Sequence, residues 1–332
     1  MLYVTTRNER EQYPALRTLG KDRGPDGGAY VPFRLCRLER EEIESLKDKS
    51  FGACVVYALD KLFFPRLDGV ELDFALGRVP VKVATMSHRI AVAELWHNIH
   101  WDFDWVVQEL TRRLRTEAQQ GVPVTDWAAI AARVAVLFGI FGQLLRSGET
   151  DYEQGIDVAA AAGDFSMPMA AWYAREMGLP IGNVICAGEQ SGCWDLLHRG
   201  EVRTNEVLPA GMERLIFGCL GADEVCRYLE ICGRGGIYAP KPEDAEQLRQ
   251  GMFAAVVSNK RIARTIASVY HTNRYVLGEE AAMVFAGLQD YRATAGESRP
   301  ALILAQHRPA KSLQTVAAAI GVEPHVLKAQ LD

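Results

Sequence analysis

The sequence predicts an α/β protein with a mostly parallel sheet flanked by helices, and three stretches carry that prediction. Residues 158–162 are small and apolar and run into Gly163-Asp164-Phe165-Ser166-Met167-Pro168. A helical pattern follows over 169–177, Gly178 closes it, and 184–187 is apolar again. Strand, glycine loop, helix, strand is a βαβ unit, which implies parallel pairing and a right-handed crossover. The run 128–145 is too long and apolar to be anything but a buried helix, and Arg133 and Gln143 inside it argue against a membrane span. Finally, Ala301-Leu302-Ile303-Leu304-Ala305 is a continuous apolar run, the pattern of a strand covered on both faces.

From the N-terminus, 2–5 reads as a short strand. Pro25-Asp26-Gly27-Gly28 is a tight turn delivering 29–31 as another strand. A surface helix is expected over 41–49 and a more apolar one over 53–64, ended by Pro65. Residues 79–83 alternate around Lys82 as a strand does, and Thr125-Asp126-Trp127 supplies a cap for the long apolar helix. Beyond residue 193 helices are expected over 211–219, 223–231, 243–257, 261–270, 279–291 and 312–320. Gly233-Arg234-Gly235-Gly236 has no strand leading into it, so it reads as a turn rather than a phosphate loop. Ligands of parallel sheets sit beyond the strand C-termini, which places a site at Gly163, Asp164, Phe165 and Ser166.

Composition excludes several classes. A chain of 332 residues, 48% hydrophobic, can bury one large core or two smaller ones. The formal charge of −5, without a long basic run, offers no footprint for nucleic acid or anionic lipid. Seven cysteines without a CxxC pair suit a reducing compartment better than a disulfide framework. Cys186 and Cys193 have no zinc-type spacing and read as buried thiols. The N-terminus carries no apolar leader, so a cytoplasmic location is expected.

The densest chemistry lies in Glu94-Leu95-Trp96-His97-Asn98-Ile99-His100-Trp101-Asp102-Phe103-Asp104-Trp105. With strand periodicity His100, Asp102 and Asp104 share one face and Trp101, Phe103 and Trp105 the other. From Trp105 the period becomes helical, through Val106, Val107, Leu110 and Leu114. Imidazole and carboxylate ligands suit zinc, iron or manganese, so a metal or acid-base site at His97, His100, Asp102 and Asp104 is one reading. The plainer reading is a helix cap at Asp102 or Asp104 and a packing role for His97.

Several of these segments, in order, resemble the threonine synthase family, enzymes of the pyridoxal-phosphate fold type II, also called tryptophan-synthase-β-like. Pro25-Asp26-Gly27-Gly28-Ala29-Tyr30-Val31-Pro32 is similar to that family's "PDGGLYVP", and Gly163-Asp164-Phe165-Ser166 to its "GNFG" loop. Residues 174–180 resemble "AKRMGLP", Met212-Glu213-Arg214-Leu215-Ile216-Phe217 "NFERLLF", and Pro309-Ala310-Lys311 the end of "TAHPAK". Glu94-Leu95-Trp96-His97 matches the start of the segment "ELFHGPTLAFKD", whose lysine forms the Schiff base with the cofactor. By the resemblance that lysine position is Asp104, which cannot form an imine.

Other positions that the resemblance assigns to the cofactor also differ. Asp164 replaces the loop asparagine and Ser166 its second glycine. Gln306 stands for the threonine near the pyridine nitrogen, Arg308 for the "TAHP" histidine, and Pro123 and Asp126 for asparagines of "NSIN". A carboxylate ~4 Å from a phosphate charge at an effective dielectric of 20 is repelled by about 4 kcal/mol. The stretch between 105 and 123 is too short for the family's small lid domain. The resemblance therefore implies a fold-type-II remnant, residues 1–100 forming the family's N-terminal region and 101–332 the main α/β domain, with the lid deleted.

The expected protein is a pseudoenzyme of amino-acid metabolism with no bound pyridoxal phosphate. Its former pocket is lined by His97, Gly163, Asp164, Phe165, Ser166, Gln306 and Arg308. A small molecule, a second copy or another protein would cover it. The alternative is an active threonine-synthase-like lyase that uses another lysine, for which Lys82 is the nearest in sequence.

Overall fold

The computed structural model describes residues 1–18, 21, 23–63, 81–86, 89–96, 127–188, 194–203, 210–296 and 299–331. The N-terminal sheet is antiparallel, in the order β2 (Asn8–Pro14), β1 (Leu2–Thr5), β3 (Tyr30–Pro32). β1 and β3 stand where expected; β2, Asn-Glu-Arg-Glu-Gln-Tyr-Pro, escapes a reading by apolar alternation because it is an edge strand that buries only Tyr13. A short helix, Arg40–Glu44, runs into a 3-10 turn, Ser45–Asp48, and then α1 (Phe51–Phe63).

Among the described residues the main sheet has six strands in the order β4 (Lys82–Met86), β5 (Ile90–Glu94), β9 (Ala301–Ala305), β6 (Ile156–Ala161), β7 (Ile181–Gly188), β8 (Met252–Val256). Only β4 is antiparallel to its neighbour; the other pairs are parallel, as expected. Alternate strand residues enter two cores. Ala91, Ala93, Val158, Ala160, Leu302 and Leu304 face one cluster, and Val92, Ala159, Ile303 and Ala305 the other. Helices on both faces account for strands that are apolar throughout.

Against the first face pack α1, α2 (Trp127–Ser147) and α3 (Ser166–Glu176). The 18-residue window of α2 that is apolar enough to cross a membrane is 89% buried inside the protein. Its Arg133 is 2% exposed and donates from Nη1 to the Ala129 carbonyl at 3.3 Å. Gly139 and Gly142 sit where α1 crosses. A Cβ on Gly139 would meet the Phe51 ring at 2.5 Å and one on Gly142 the Cys54 Sγ at 2.9 Å. Gly139→Ala should therefore cost stability rather than gain helix propensity, by about 1–3 kcal/mol of overpacking, read from urea midpoints.

The α3 segment and its flanking strands form the expected βαβ unit. α4 (Ala210–Leu220), α5 (Ala222–Gly233) and α6 (Pro242–Arg249) follow. The expected single helix over 243–257 is wrong: it ends at Arg249, Gln250 and Gly251 turn the chain, and Met252–Val256 is β8. Gly251 adopts φ +71, which breaks the helix before the apolar run begins. On the second face lie α7 (Asn259–Asn273), α8 (Glu279–Ala295) and α9 (Leu313–Ile320), followed by α10 (Pro324–Leu331), which the sequence reading did not anticipate.

Two resemblance motifs meet, although 190 residues separate Arg23 from Glu213. In the Pro25-Asp26-Gly27-Gly28 turn, Asp26 accepts from Thr5 Oγ1 and the Gly28 amide, and Gly27 takes φ +76. The buried Glu213 carboxylate, on α4, accepts from Thr6 Oγ1 (2.6 Å), Arg7 Nε (3.1 Å) and Arg23 Nη1 (3.0 Å). Arg214 donates to the Tyr30 carbonyl. This joint ties the N-terminal sheet to α4.

Candidate functional site

Because β5, β9 and β6 are parallel neighbours, their C-terminal ends lie on one edge of the sheet. β5 ends at Glu94, and the next amide, on Leu95, donates to the Ala305 carbonyl at 2.9 Å. β9 passes into Gln306, and β6 through Ala162 into Gly163. The structure thus brings Gly163, Asp164, Phe165, Ser166, Gln306 and Arg308 to the same edge. The expected partners His97, His100, Asp102 and Asp104, and the connection between 105 and 123, lie outside the described residues. Among the described residues no cluster of three His, Cys, Asp or Glu could hold a metal.

The loop after β6 turns through two left-handed residues, Gly163 (φ 42) and Phe165 (φ 65). Phe165 is pinned by burial and by its amide donating to the Ala162 carbonyl. Asp164 is then swung back over the first turn of α3. Its Oδ1 accepts from the Ser166 amide at 3.0 Å and the Ser166 hydroxyl at 2.6 Å. Helix N-termini are anion sites because their first amides lack intrahelical partners. Here a side-chain carboxylate of the chain itself takes the first of those amides. Behind the loop the start of α4 comes close enough that a Cβ on Gly211 would touch the Phe165 carbonyl at 2.8 Å. In front of it a Cβ on Gly163 would meet nothing within 4 Å among the described residues.

At the β9 end the side chains are more tightly coupled. Glu280, in the first turn of α8, accepts from the amide and Nε2 of Gln306. Its Oε2 is 3.2 Å from His307 Nε2. Burial holds the Glu280 carboxyl above its usual range, against the opposing pull of His307, the Gln306 bonds and Lys311. Lys311 Nζ in turn lies 3.2 Å from His307 Nδ1 and 3.1 Å from its Nε2. Sequence reasoning took the turn from Gln306 to Arg308 for the pocket and Lys311 for a resemblance motif, gave His307 and Lys311 no role of their own, and missed Glu280. The acid in the first turn reads as ordinary dipole compensation, and only the fold places it beside Gln306.

On the outer side of the edge, Glu94 is buried and accepts from Tyr275 Oη at 2.8 Å and Lys82 Nζ at 3.3 Å. Burial and the Glu94 carboxylate push the Tyr275 hydroxyl well above its ordinary range. Lys82 pairs in register with Glu94, so it does lie at this edge, but its side chain is 73% exposed and carries an ion pair.

No family model matches the sequence. Solved structures do. A pyridoxal-phosphate-bound threonine synthase from Brucella melitensis superposes with a TM-score of 0.86 at 19% identity, covering 98% of this chain and 92% of that one. The fold is that of threonine synthase. The yeast enzyme gives a TM-score of 0.82 at 14% identity over 100% of this chain and 94% of its own. The Escherichia coli enzyme gives 0.74 at 14% over 100% and 95%. In this threonine synthase fold the shared edge of β5, β9 and β6 is the candidate site, and the mixed α/β architecture expected from the sequence stands.

Proposed function

We propose that the chain is a non-catalytic relative of threonine synthase that uses the inherited strand-end cleft to bind a small molecule. The observation that carries this reading is the Asp164 carboxylate bonded to the Ser166 amide and hydroxyl. By the resemblance, that loop is where threonine synthases hold the cofactor phosphate on backbone amides. A phosphate entering here would have to displace an internal anion from its donors and then sit beside it, so the loop does not fit pyridoxal phosphate. Asp104 at the lysine position, Gln306 at the ring-nitrogen position and the short connection between 105 and 123, without room for a lid, point the same way. What the chain keeps is accounted for by stability: the Pro25-Asp26-Gly27-Gly28 turn and Glu213 form a joint, not a reaction centre.

The lyase alternative needs Lys82 as the covalent lysine. Its ammonium is engaged by Glu94 on the outermost strand pair, which supports a surface role. Adding pyridoxal phosphate to the purified full chain should give no new visible absorbance and, after borohydride, no pyridoxyl-modified lysine by mass spectrometry. A stoichiometric adduct on any lysine would sink the reading, and an adduct on Lys82 would establish the alternative.

A further inference from the structure

A cavity of about 310 Å³ opens beside the β9 end, between the starts of α7 and α8 and the turn that precedes α9. Ile262 and Met283 give it an apolar wall, and Glu280, His307, Arg308 and Lys311 stand around it. That volume is at the small end of ligand pockets and suits a metabolite rather than a cofactor. Its walls are fixed: the Glu279 amide donates to Ser312 Oγ, and a Cβ on Gly278 would come within 3.3 Å of Pro309.

The charges around it are not evenly matched. Glu280 already accepts from Gln306 and faces His307, and Glu279 sits in the first turn of α8, where the helix N-terminus favours an acid. The two cations lack such answers. Arg308 makes one 3.5 Å hydrogen bond, to the Leu331 carbonyl, and Lys311 is exposed and donates to the His307 ring. Among the described residues neither has a carboxylate within ion-pair distance. Lys311 Nζ lies 3.2 Å from Nδ1 and 3.1 Å from Nε2 of His307, and the same Nε2 is 3.2 Å from Glu280 Oε2. Glu280 thus orients His307, and His307 holds the Lys311 ammonium at the cavity mouth.

We infer that this cavity binds a small organic monocarboxylate, its carboxylate on Lys311 and Arg308 and its apolar body on Ile262 and Met283. The inference deepens the proposed function and rests on it for the cleft being a binding site. It uses none of the Gly163–Ser166 loop, so the two fail separately. A cation is disfavoured because the half-buried Glu280 is already engaged, and a bare inorganic anion would leave the apolar wall unmet.

The test is isothermal titration calorimetry of the full chain, without pyridoxal phosphate, against n-butyrate, n-butylamine and inorganic phosphate. Butyrate should bind at one saturable site, at least tenfold more tightly than either of the others. Lys311→Met and Arg308→Met should each weaken it about tenfold or more, as loss of a charge-assisted hydrogen bond does, and Lys311→Arg should largely retain it. Lys311 is exposed, so its variants report on the site even if Arg308→Met disturbs the α10 end. No saturable butyrate binding, undiminished binding to Lys311→Met, or equal binding of butylamine or phosphate would each overturn the inference. A pyridoxyl adduct in the earlier experiment, with butyrate still bound here, would remove the non-catalytic reading and leave this site standing.

Discussion

Glu213→Ala is expected to destabilise the protein by about 2–4 kcal/mol at pH 7, somewhat below the roughly 3–5 kcal/mol for breaking a fully buried charge pair, because Arg7 and Arg23 keep some solvent. The carboxylate is almost fully enclosed and holds three donors from the N-terminal region: Thr6, Arg7 and Arg23. Removing it leaves the Thr6 hydroxyl without this acceptor and two guanidinium groups without a counter-charge at the joint. Burial alone would raise its pKa, but the bonds from Thr6, Arg7 and Arg23 together outweigh burial and hold it below the usual carboxylate value. A depressed folded pKa contributes stability that is present above the unfolded value, about 4.3, and is lost as pH falls through the folded one. The difference between wild type and variant, from urea midpoints, should be full at pH 7 and shrink below about pH 4. A gap that stays constant on acidification would show that packing, not charge, makes this joint.

Trp127→Ala should cost about 3–5 kcal/mol, the range for truncating a buried tryptophan. Trp127 is wholly buried at the start of α2, with its ring edge-on to Tyr3 at 5.8 Å and to Tyr173 at 5.0 Å. Its indole N–H donates to Tyr3 Oη at 3.0 Å, and that hydroxyl donates on to the Leu62 carbonyl at the end of α1. One side chain therefore ties β1, α1, α2 and α3. Burial lifts the Tyr3 hydroxyl far above its normal range, so the phenol stays neutral and the relay donor-to-acceptor throughout. Trp127→Phe keeps most of the volume and loses the donor, so a loss of roughly 1–2 kcal/mol is expected from the hydrogen bond and reduced contact. If the phenylalanine variant loses as much as the alanine one, the relay rather than the cavity dominates.

The sheet's centre could be read from sequence because both its faces are covered. The runs at β6, β7 and β9 are apolar without alternation, and the loop at Gly163 and the α2 helix between them leave few alternatives. Its flanks could not. β8 follows a helix after a two-residue turn, so Met252–Val256 looked like that helix's continuation. β2 buries one side chain. β5, Ile-Ala-Val-Ala-Glu, was hidden by the aromatic cluster that follows it. Of the candidate site, Gly163–Ser166, Gln306 and Arg308 were legible as strand-end positions. Glu280 was not, since nothing local distinguishes it from Glu279; only the parallel neighbours and α8 bring it to Gln306. The self-capping of Asp164 was also missed. The substitution was read as a repulsive charge, whereas in the fold it is a satisfied acceptor.

The burial of α2 has a bearing on how the chain is made. Trp127–Ser147 leaves the ribosome before β6, α3 and β9, the strands and helix on its covered side, have been synthesised. For that interval only earlier elements such as α1 and β1 can cover a segment of mean hydropathy 1.9, and it is the kind of segment that insertion machinery accepts. Arg133 opposes that fate, since a cation near mid-bilayer costs about 2.5–3.5 kcal/mol on the insertion scale. Once folded, the same guanidinium is enclosed and reaches the Ala129 carbonyl. A charge that looks misplaced in the finished core thus guards the nascent polypeptide against lipid.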